Sequence, residues 1–209
     1  MELTKIKLVI WDWYKTLSNK HLYASLEKTN PGAYEIIQDY FRNENSKLDS
    51  WARGEISYKQ MHIEFSKLTN IPAKVFDESL LVIRNNFDID QKILPFVEKF
   101  KELNIIQVIA TDNFDIWDEF FLPQYSQYLN KYFIATYNSS NFRILRIDQG
   151  GEFLKTILKT NNIKADETLL IDDNLMLCDL FEKLGGTSLW HSSITDLKMK
   201  LSVLTGTNN

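Results

Sequence analysis

One cysteine, four prolines, seven glycines and three histidines in 209 residues leave several kinds of protein out of consideration. Cys178 by itself cannot close an internal disulfide. His21, His62 and His191 stand too far apart for the companion spacing of a zinc site or of a nucleophile pair, so none is assigned a catalytic role. No window approaches the roughly 18 uninterrupted apolar residues that a membrane-spanning helix requires, and no membrane partner is expected. Positive charge is not in excess either: 24 Lys and Arg face 28 Asp and Glu, a net charge of -4. Nucleic-acid binders carry a basic face, so no nucleic-acid partner is expected. The start Met1-Glu2-Leu3-Thr4-Lys5 lacks the apolar stretch and cleavage site of a secretory signal, which makes the cytoplasm the expected location. Long linkers, internal repeats and low-complexity tracts are absent, and the tail 205–209 is expected to fray.

What is present is a 44% hydrophobic chain, enough for one core and a smaller appended lobe. Lys7 to Trp11, Ile105 to Ala110, Tyr132 to Thr136, Thr168 to Ile171 and Thr187 to Trp190 are short β-branched or aromatic runs that read as buried strands. Helical patterns separate most of them. Leu94, Val97, Phe100 and Leu103 share one apolar face, and Phe153, Ile157 and Leu158 another. Such alternation predicts an α/β fold with a mostly parallel sheet, whose ligands bind beyond the carboxyl ends of the strands. Asp12, Thr111 and Asp172 fall at those ends.

Between Thr16 and about Asp90 no strand pattern occurs. Ile36, Ile37, Tyr40 and Phe41, then Met61, Phe65 and Leu68, then Val75, Phe76, Leu80 and Ile83 recur at helical spacing, and these stripes read as packing. Ser57-Tyr58-Lys59-Gln60 fits a capping box, and Pro72 marks a break between two helices. Trp51 and Arg53 are candidate substrate contacts in this segment.

Asp12 opens Asp12-Trp13-Tyr14-Lys15-Thr16-Leu17 directly after the run Leu8-Val9-Ile10-Trp11, where a buried strand should break into a loop. A carboxylate so placed can attack phosphorus or carbon and divide a hard displacement into two easier ones. Val108-Ile109-Ala110-Thr111-Asp112-Asn113 is a second strand ending in a hydroxyl. Leu169-Leu170-Ile171-Asp172-Asp173-Asn174 is a third, ending in paired acids that would repel one another unless a cation compensated them. In this order the three segments resemble the motifs of the haloacid dehalogenase superfamily, and the likeness runs over nearly the whole chain.

That resemblance implies a Rossmann-like core, residues 1–17 and 91–209, with an α-helical cap inserted at 18–90. It implies Asp12 as nucleophile, Thr111 as hydrogen-bond donor to the transferred phosphoryl group, and Thr16, Asp112 and Asn113 around the substrate. A magnesium ion would be held by Asp12, the carbonyl of Tyr14 and Asp173, with Asp172 in support; magnesium favours such oxygen ligands. The lysine that normally neutralises nucleophile and phosphate has no counterpart in context. Arg146 is the best replacement, Arg143 the second and Lys155 a rival, although arginine's planar fork does not copy an ammonium. Leu177 stands where relatives often carry Asn or Asp, and Asp179 is two positions further on.

The phosphatases of the superfamily carry a second Asp where this chain has Tyr14, and a phenol of ordinary pKa near 10 is no base at neutral pH. Haloacid dehalogenases proper have Asp-x-Tyr at that place and use no metal, since halide leaves without a proton. The acidic pair outweighs the tyrosine. The reading is therefore a magnesium-dependent phosphohydrolase acting on a small phosphorylated molecule, with a 2-haloacid dehalogenase as alternative. A ligand-binding or regulatory module with little turnover is a further alternative, suggested by the three departures at Tyr14, Arg146 and Leu177.

Overall fold

Leu8, Val9, Ile10 and Trp11 are all wholly buried, because the strand they form lies in the middle of the sheet with a neighbour on each side. The structure, a computed structural model, describes residues 3–43 and 46–206. Met1, Glu2 and residues 207–209 of the tail lie outside that range; Thr205 ends the last helix.

In chain order, β1 (Leu8–Trp11) is followed by five helices: α1 (Leu26–Thr29), α2 (Pro31–Arg42), α3 (Ser46–Ala52), α4 (Tyr58–Thr69) and α5 (Ala73–Arg84). Then come α6 (Leu94–Glu102) and β2 (Ile106–Thr111). A π-helical turn, Trp117–Phe121, runs into α7 (Leu122–Leu129). The chain continues with β3 (Ala135–Asn138), α8 (Ser139–Phe142), α9 (Glu152–Asn161), β4 (Thr168–Asp172), α10 (Leu175–Lys183), β5 (Thr187–Trp190) and α11 (Ile194–Thr205). All four strand pairings are parallel, in the order β3-β2-β1-β4-β5.

A strand enclosed on both faces needs apolar residues at every position, and the period of two sends them alternately up and down. Val9, Trp11, Ile109 and Ile171 join α6 and α11 on one face, while Leu8, Ile10, Val108 and Leu170 join α9 and α10 on the other. Each of Leu8, Val9 and Ile10 stabilises the fold by roughly 1.5–3 kcal/mol relative to exposure. The polar residue in this layer is satisfied: buried Gln107 accepts from Trp11 Nε1 at 3.0 Å and donates to the Val97 carbonyl at 2.9 Å.

The third strand differs from expectation. It starts at Ala135 and not Tyr132, because Tyr132 and Phe133 hydrogen-bond back to the Leu129 carbonyl and their rings complete a hydrophobic turn. Ile36, Leu68 and Leu103 sit on predicted apolar stripes but are exposed, Leu103 lying just past the end of α6.

The helical insert has its own apolar cluster, built from residues such as Tyr23, Ile37, Trp51, Phe65 and Phe76, with Ile116 entering from the core. Ser57 and Gln60 form the reciprocal cap at the start of α4, and Pro72 caps α5. The insert leaves and returns side by side, with Asp90 N donating to the Leu17 carbonyl at 2.7 Å. Trp51 and Arg53, the candidate substrate contacts, are not among the residues that line the cleft over Asp12 and are engaged with the core. The Trp51 ring stacks on Phe114 at 3.7 Å, its Nε1 donates to Asp115 at 2.6 Å, and Arg53 makes two 3.0 Å bonds to Asp148. Gly54, at φ +66°, lies where a Cβ would come within 2.4 Å of the Ser140 carbonyl oxygen, so this seam is closed by backbone contact. Among the described residues no helix is long and apolar enough to cross a membrane.

Candidate active site

Because β1 lies between β2 and β4 in parallel register, their carboxyl ends converge. Asp12, Thr111 and Asp172 leave three adjacent strands at one edge of the sheet, with Asp12 N donating to the Ile171 carbonyl at 3.0 Å. The three residues are 4%, 2% and 0% exposed, so their charge and polarity must be met from within.

Arg146 meets it. Its Nη1 lies 3.1 Å from Asp12 Oδ1 and 2.5 Å from Asp172 Oδ2, and donates to the Ala110 carbonyl at 3.0 Å. Asp112 holds the arginine from behind, accepting from its backbone N at 2.9 Å and from Nε at 3.2 Å. Of the three cations weighed from sequence, Arg146 alone reaches the nucleophile's surroundings. Arg143 is exposed, with a left-handed backbone, and Lys155 is exposed and faces Glu152 at 3.9 Å.

The electrostatics follow from this packing. Burial raises the Asp12 carboxyl well above its ordinary pKa; Arg146 opposes that, while Asp172 and Asp173 push the same way as burial. Asp172 is likewise raised by burial against the pull of Arg146. For Arg146, burial works against the charge, yet the field of Asp12, Asp172 and Asp112 overrides it and leaves the guanidinium firmly protonated.

Carboxylate oxygens of Asp12, Asp172 and Asp173 lie within 4.8 Å of one another. The donor set suits magnesium, being all oxygen and strongly acidic even with Arg146 counted. Asp172 has its two oxygens engaged by Arg146 Nη1 and by Asn174 N at 2.8 Å, so it supports the group and is poorly placed to ligate. Asp12 and Asp173 are the more available pair; Asp173 is partly exposed and has Lys15 Nζ at 3.6 Å.

The Tyr14 hydroxyl lies 2.6 Å from His21 Nδ1, and burial pushes its pKa up to about 12. His21, given no role from sequence, therefore belongs to the site; seven residues separate it from Tyr14, a spacing that carries no signal in an irregular loop. Its imidazole is shifted down by burial and by Lys15. Thr16 is not among the residues lining the cleft above Asp12: its hydroxyl is fully buried and lies 3.0 Å from His191 Nε2. Asp112 and Asn113 do line the cleft, although Asp112 is committed to Arg146 and the Asn113 Oδ1 accepts from Phe114 N at 2.9 Å. Leu177 is 1% exposed in an apolar cluster, where a carboxylate would lose its hydration, and Asp179 is on the exposed side of α10. Cys178, raised to about 12 by burial, is a core thiol.

A cavity of about 880 Å³ opens over these groups, between the core and helix α2 of the insert. The insert contributes His21, Gln38, Phe41 and Arg42, and the core contributes Asp12, Thr111, Arg146 and Asp173 together with several aromatic rings.

No family model matches the sequence, and no curated protein does. Solved structures match over most of their length. A HAD family enzyme from Bacteroides thetaiotaomicron, in a magnesium complex, has a TM-score of 0.69 at 19% identity, covering 90% of this chain and 94% of that one. A predicted HAD-like family hydrolase from Porphyromonas gingivalis has a TM-score of 0.72 at 14% identity, covering 98% and 100%. An L-2-haloacid dehalogenase from Xanthobacter autotrophicus, with chloropropionic acid covalently bound, has a TM-score of 0.66 at 13% identity, covering 97% and 84%. At such identities the likeness establishes the fold.

Proposed function

For this chain, which has the haloacid dehalogenase fold, we propose a magnesium-dependent phosphohydrolase that works through an aspartyl-phosphate on Asp12. The observation that carries the reading is Arg146, buried and hydrogen-bonded at the point where Asp12 and Asp172 converge, beside a three-carboxylate group. A cation fixed there opposes the rise that burial imposes on the Asp12 carboxyl, and it offers charge to an incoming phosphate. The neighbour solved with magnesium and inorganic phosphate supports the choice of metal and leaving anion.

In this reading Asp12 attacks phosphorus, the bond from phosphorus to the alcohol oxygen breaks, and the leaving oxygen takes a proton from water, since Tyr14 does not supply one. Thr111, at the end of β2, donates a hydrogen bond to the phosphoryl oxygens. Water then attacks the aspartyl-phosphate, releasing inorganic phosphate and restoring Asp12. Magnesium held by Asp12 and Asp173, with Asp172 in support and the Tyr14 carbonyl as a further ligand, would offset charge on the phosphoryl oxygens. The insert, taken as residues 18–90, would act as a cap that excludes water and selects the substrate.

Tyr14 favours a second reading. A phenol of pKa about 12 does not act as a base near pH 7. A 2-haloacid needs no such group: Asp12 would displace halide from carbon, and water would cleave the resulting ester. The dehalogenase neighbour with its covalently bound acid supports this alternative.

One comparison separates the readings: phosphate release from an aryl phosphate with and without magnesium, halide release from a short 2-haloacid, and both repeated with Asp12→Asn. Magnesium-dependent phosphate release lost in the variant is the expected result. Metal-independent halide release would replace the phosphohydrolase with a dehalogenase, and silence in both assays would leave a ligand-binding module.

A further inference from the structure

The cleft over Asp12 has two chemically different ends. One is made by Asp12, Thr111, Asp112, Arg146 and Asp173. The other begins one residue from the nucleophile, at Trp13, whose ring stacks on Phe87 with centroids 4.4 Å apart and planes 8° apart. Trp117 packs edge-on to both, 4.9 Å from Trp13 and 5.4 Å from Phe87, and Phe121 stacks on Phe87 at 5.0 Å. Phe41 from the insert and Phe114 from the core, 6.0 Å apart, extend this wall. All six rings border the same cavity, with Trp117 and Phe121 as a buried backing to the others.

These side chains carry no carboxylate, amide or hydroxyl. A sugar or other polyol laid against them would give up water and could regain bonds only from the two indole N–H groups, whereas a hydrocarbon or ring gains by leaving water and by edge and face contacts. The flexible cations of the cleft do not redirect this preference. Lys15 faces Asp173 at 3.6 Å, Lys20 pairs with Asp88 at 2.6 Å, and Arg42 with Asp39 at 3.0 Å. Lys20 and Arg42 are each matched by a carboxylate of the chain itself, so a second anionic group on the substrate would have to displace one or turn to Lys15, whose partner Asp173 is also the candidate metal ligand.

We propose that the substrate is a monoester of phosphate with an apolar, ring-bearing alcohol, its phosphate at Asp12 and Arg146 and its ring against the wall formed by Trp13, Phe41, Phe87 and Phe114. The phosphate end rests on the phosphohydrolase reading; the ring end rests on the wall. Phe41, from the insert, is the specificity residue of this arrangement.

Calorimetry on the full chain with magnesium tests the ring end without requiring turnover. 2-Phenylethylphosphonate should bind at least about tenfold more tightly than methylphosphonate, the size expected for an apolar pocket contact. Phe41→Ala, or Phe41→Leu if the alanine variant does not fold, should bring that ratio towards one. Equal affinities, a ratio untouched by the Phe41 variant that folds, or no binding of either phosphonate overturns the proposal. The phosphohydrolase reading is judged separately with acetyl phosphate and 2-phenylethyl phosphate: release of phosphate from neither removes that reading, while the phosphonate ratio still decides the ring end.

Discussion

Arg146 Nη1 touches Asp172 Oδ2 at 2.5 Å and is 3.1 Å from Asp12 Oδ1, so one guanidinium nitrogen compensates two buried carboxylates on neighbouring strand ends. Removing one partner of a buried group like this leaves the others without compensation, at a cost of about 3–5 kcal/mol. Arg146→Met is therefore expected to lower stability by that amount in urea denaturation. Arg146→Lys should lie between, because a lone ammonium cannot keep the Asp112 bond through Nε as well as the other two. A methionine variant as stable as the parent would contradict this account.

Asp12→Asn should abolish turnover, by a factor on the order of 10³ or more. It should not destabilise the chain as Arg146→Met does, since Arg146 keeps Asp172 and Asp112 as partners and one buried carboxylate disfavoured by burial is removed. Steady-state rates and a thermal melt on the same preparation check both halves, and an active variant would remove Asp12 from the mechanism.

Tyr14→Asp tests what the phenol withholds. With a pKa pushed up to about 12, Tyr14 stays protonated throughout the neutral range, whereas a carboxyl there could exchange a proton with the leaving group and the water. Phosphate release from an alkyl phosphate is expected to rise by about 10²–10⁴, the usual contribution of a positioned acid-base group. No rise, with the fold intact by circular dichroism, counts against the phosphohydrolase reading.

His62 is buried in the insert, with Nε2 2.8 Å from the Tyr23 hydroxyl and Nδ1 2.7 Å from Asp77. Burial lowers its pKa and outweighs the opposing pull of Asp77. A histidine whose folded pKa is depressed binds fewer protons folded than unfolded just below about 6.5, so its contribution is complete above that pH and is lost as pH falls through the folded value. The stability of the parent should therefore decline from about pH 6.5 downwards more steeply than that of His62→Gln. Parallel curves for the two proteins would show that the imidazole does not titrate in this way.

Arg53 and Asp148 join the insert to the loop that carries Arg146, through a bidentate pair whose side chains are 25% and 24% exposed. A double-mutant cycle with Arg53→Ala and Asp148→Ala should give a coupling of about 1 kcal/mol, near the upper end for partly exposed pairs because the geometry is forked. Asp148 also accepts from Leu145 N at 2.9 Å, so its own substitution should cost more than that of Arg53.

Much of the scaffold was legible because strands buried on both faces must be continuously apolar. Leu8-Val9-Ile10-Trp11 and Leu169-Leu170-Ile171 could hardly be anything else, and the first polar residue after each had to emerge at the carboxyl end. The third strand was misplaced by three residues because Tyr132 and Phe133 have strand-like side chains in a turn held by the Leu129 carbonyl. Thr16 was expected around the substrate from the resemblance, but the turn after Trp13 directs it inwards to His191.

The sequence by itself determined the parallel α/β core, the place of the helical insert and the set of carboxylates at the strand ends, since each is written in periodicity or in one residue's position at the end of an apolar run. The sequence ranked Arg146 ahead of Arg143 and Lys155; tertiary structure decided what Arg146 touches, and that His21 stands against Tyr14. Arg146 is selected because Asp112, 34 residues earlier, captures its backbone and its Nε and points Nη1 at Asp12 and Asp172. Side chains on irregular loops take their direction from distant partners, and no short-range repeat encodes those.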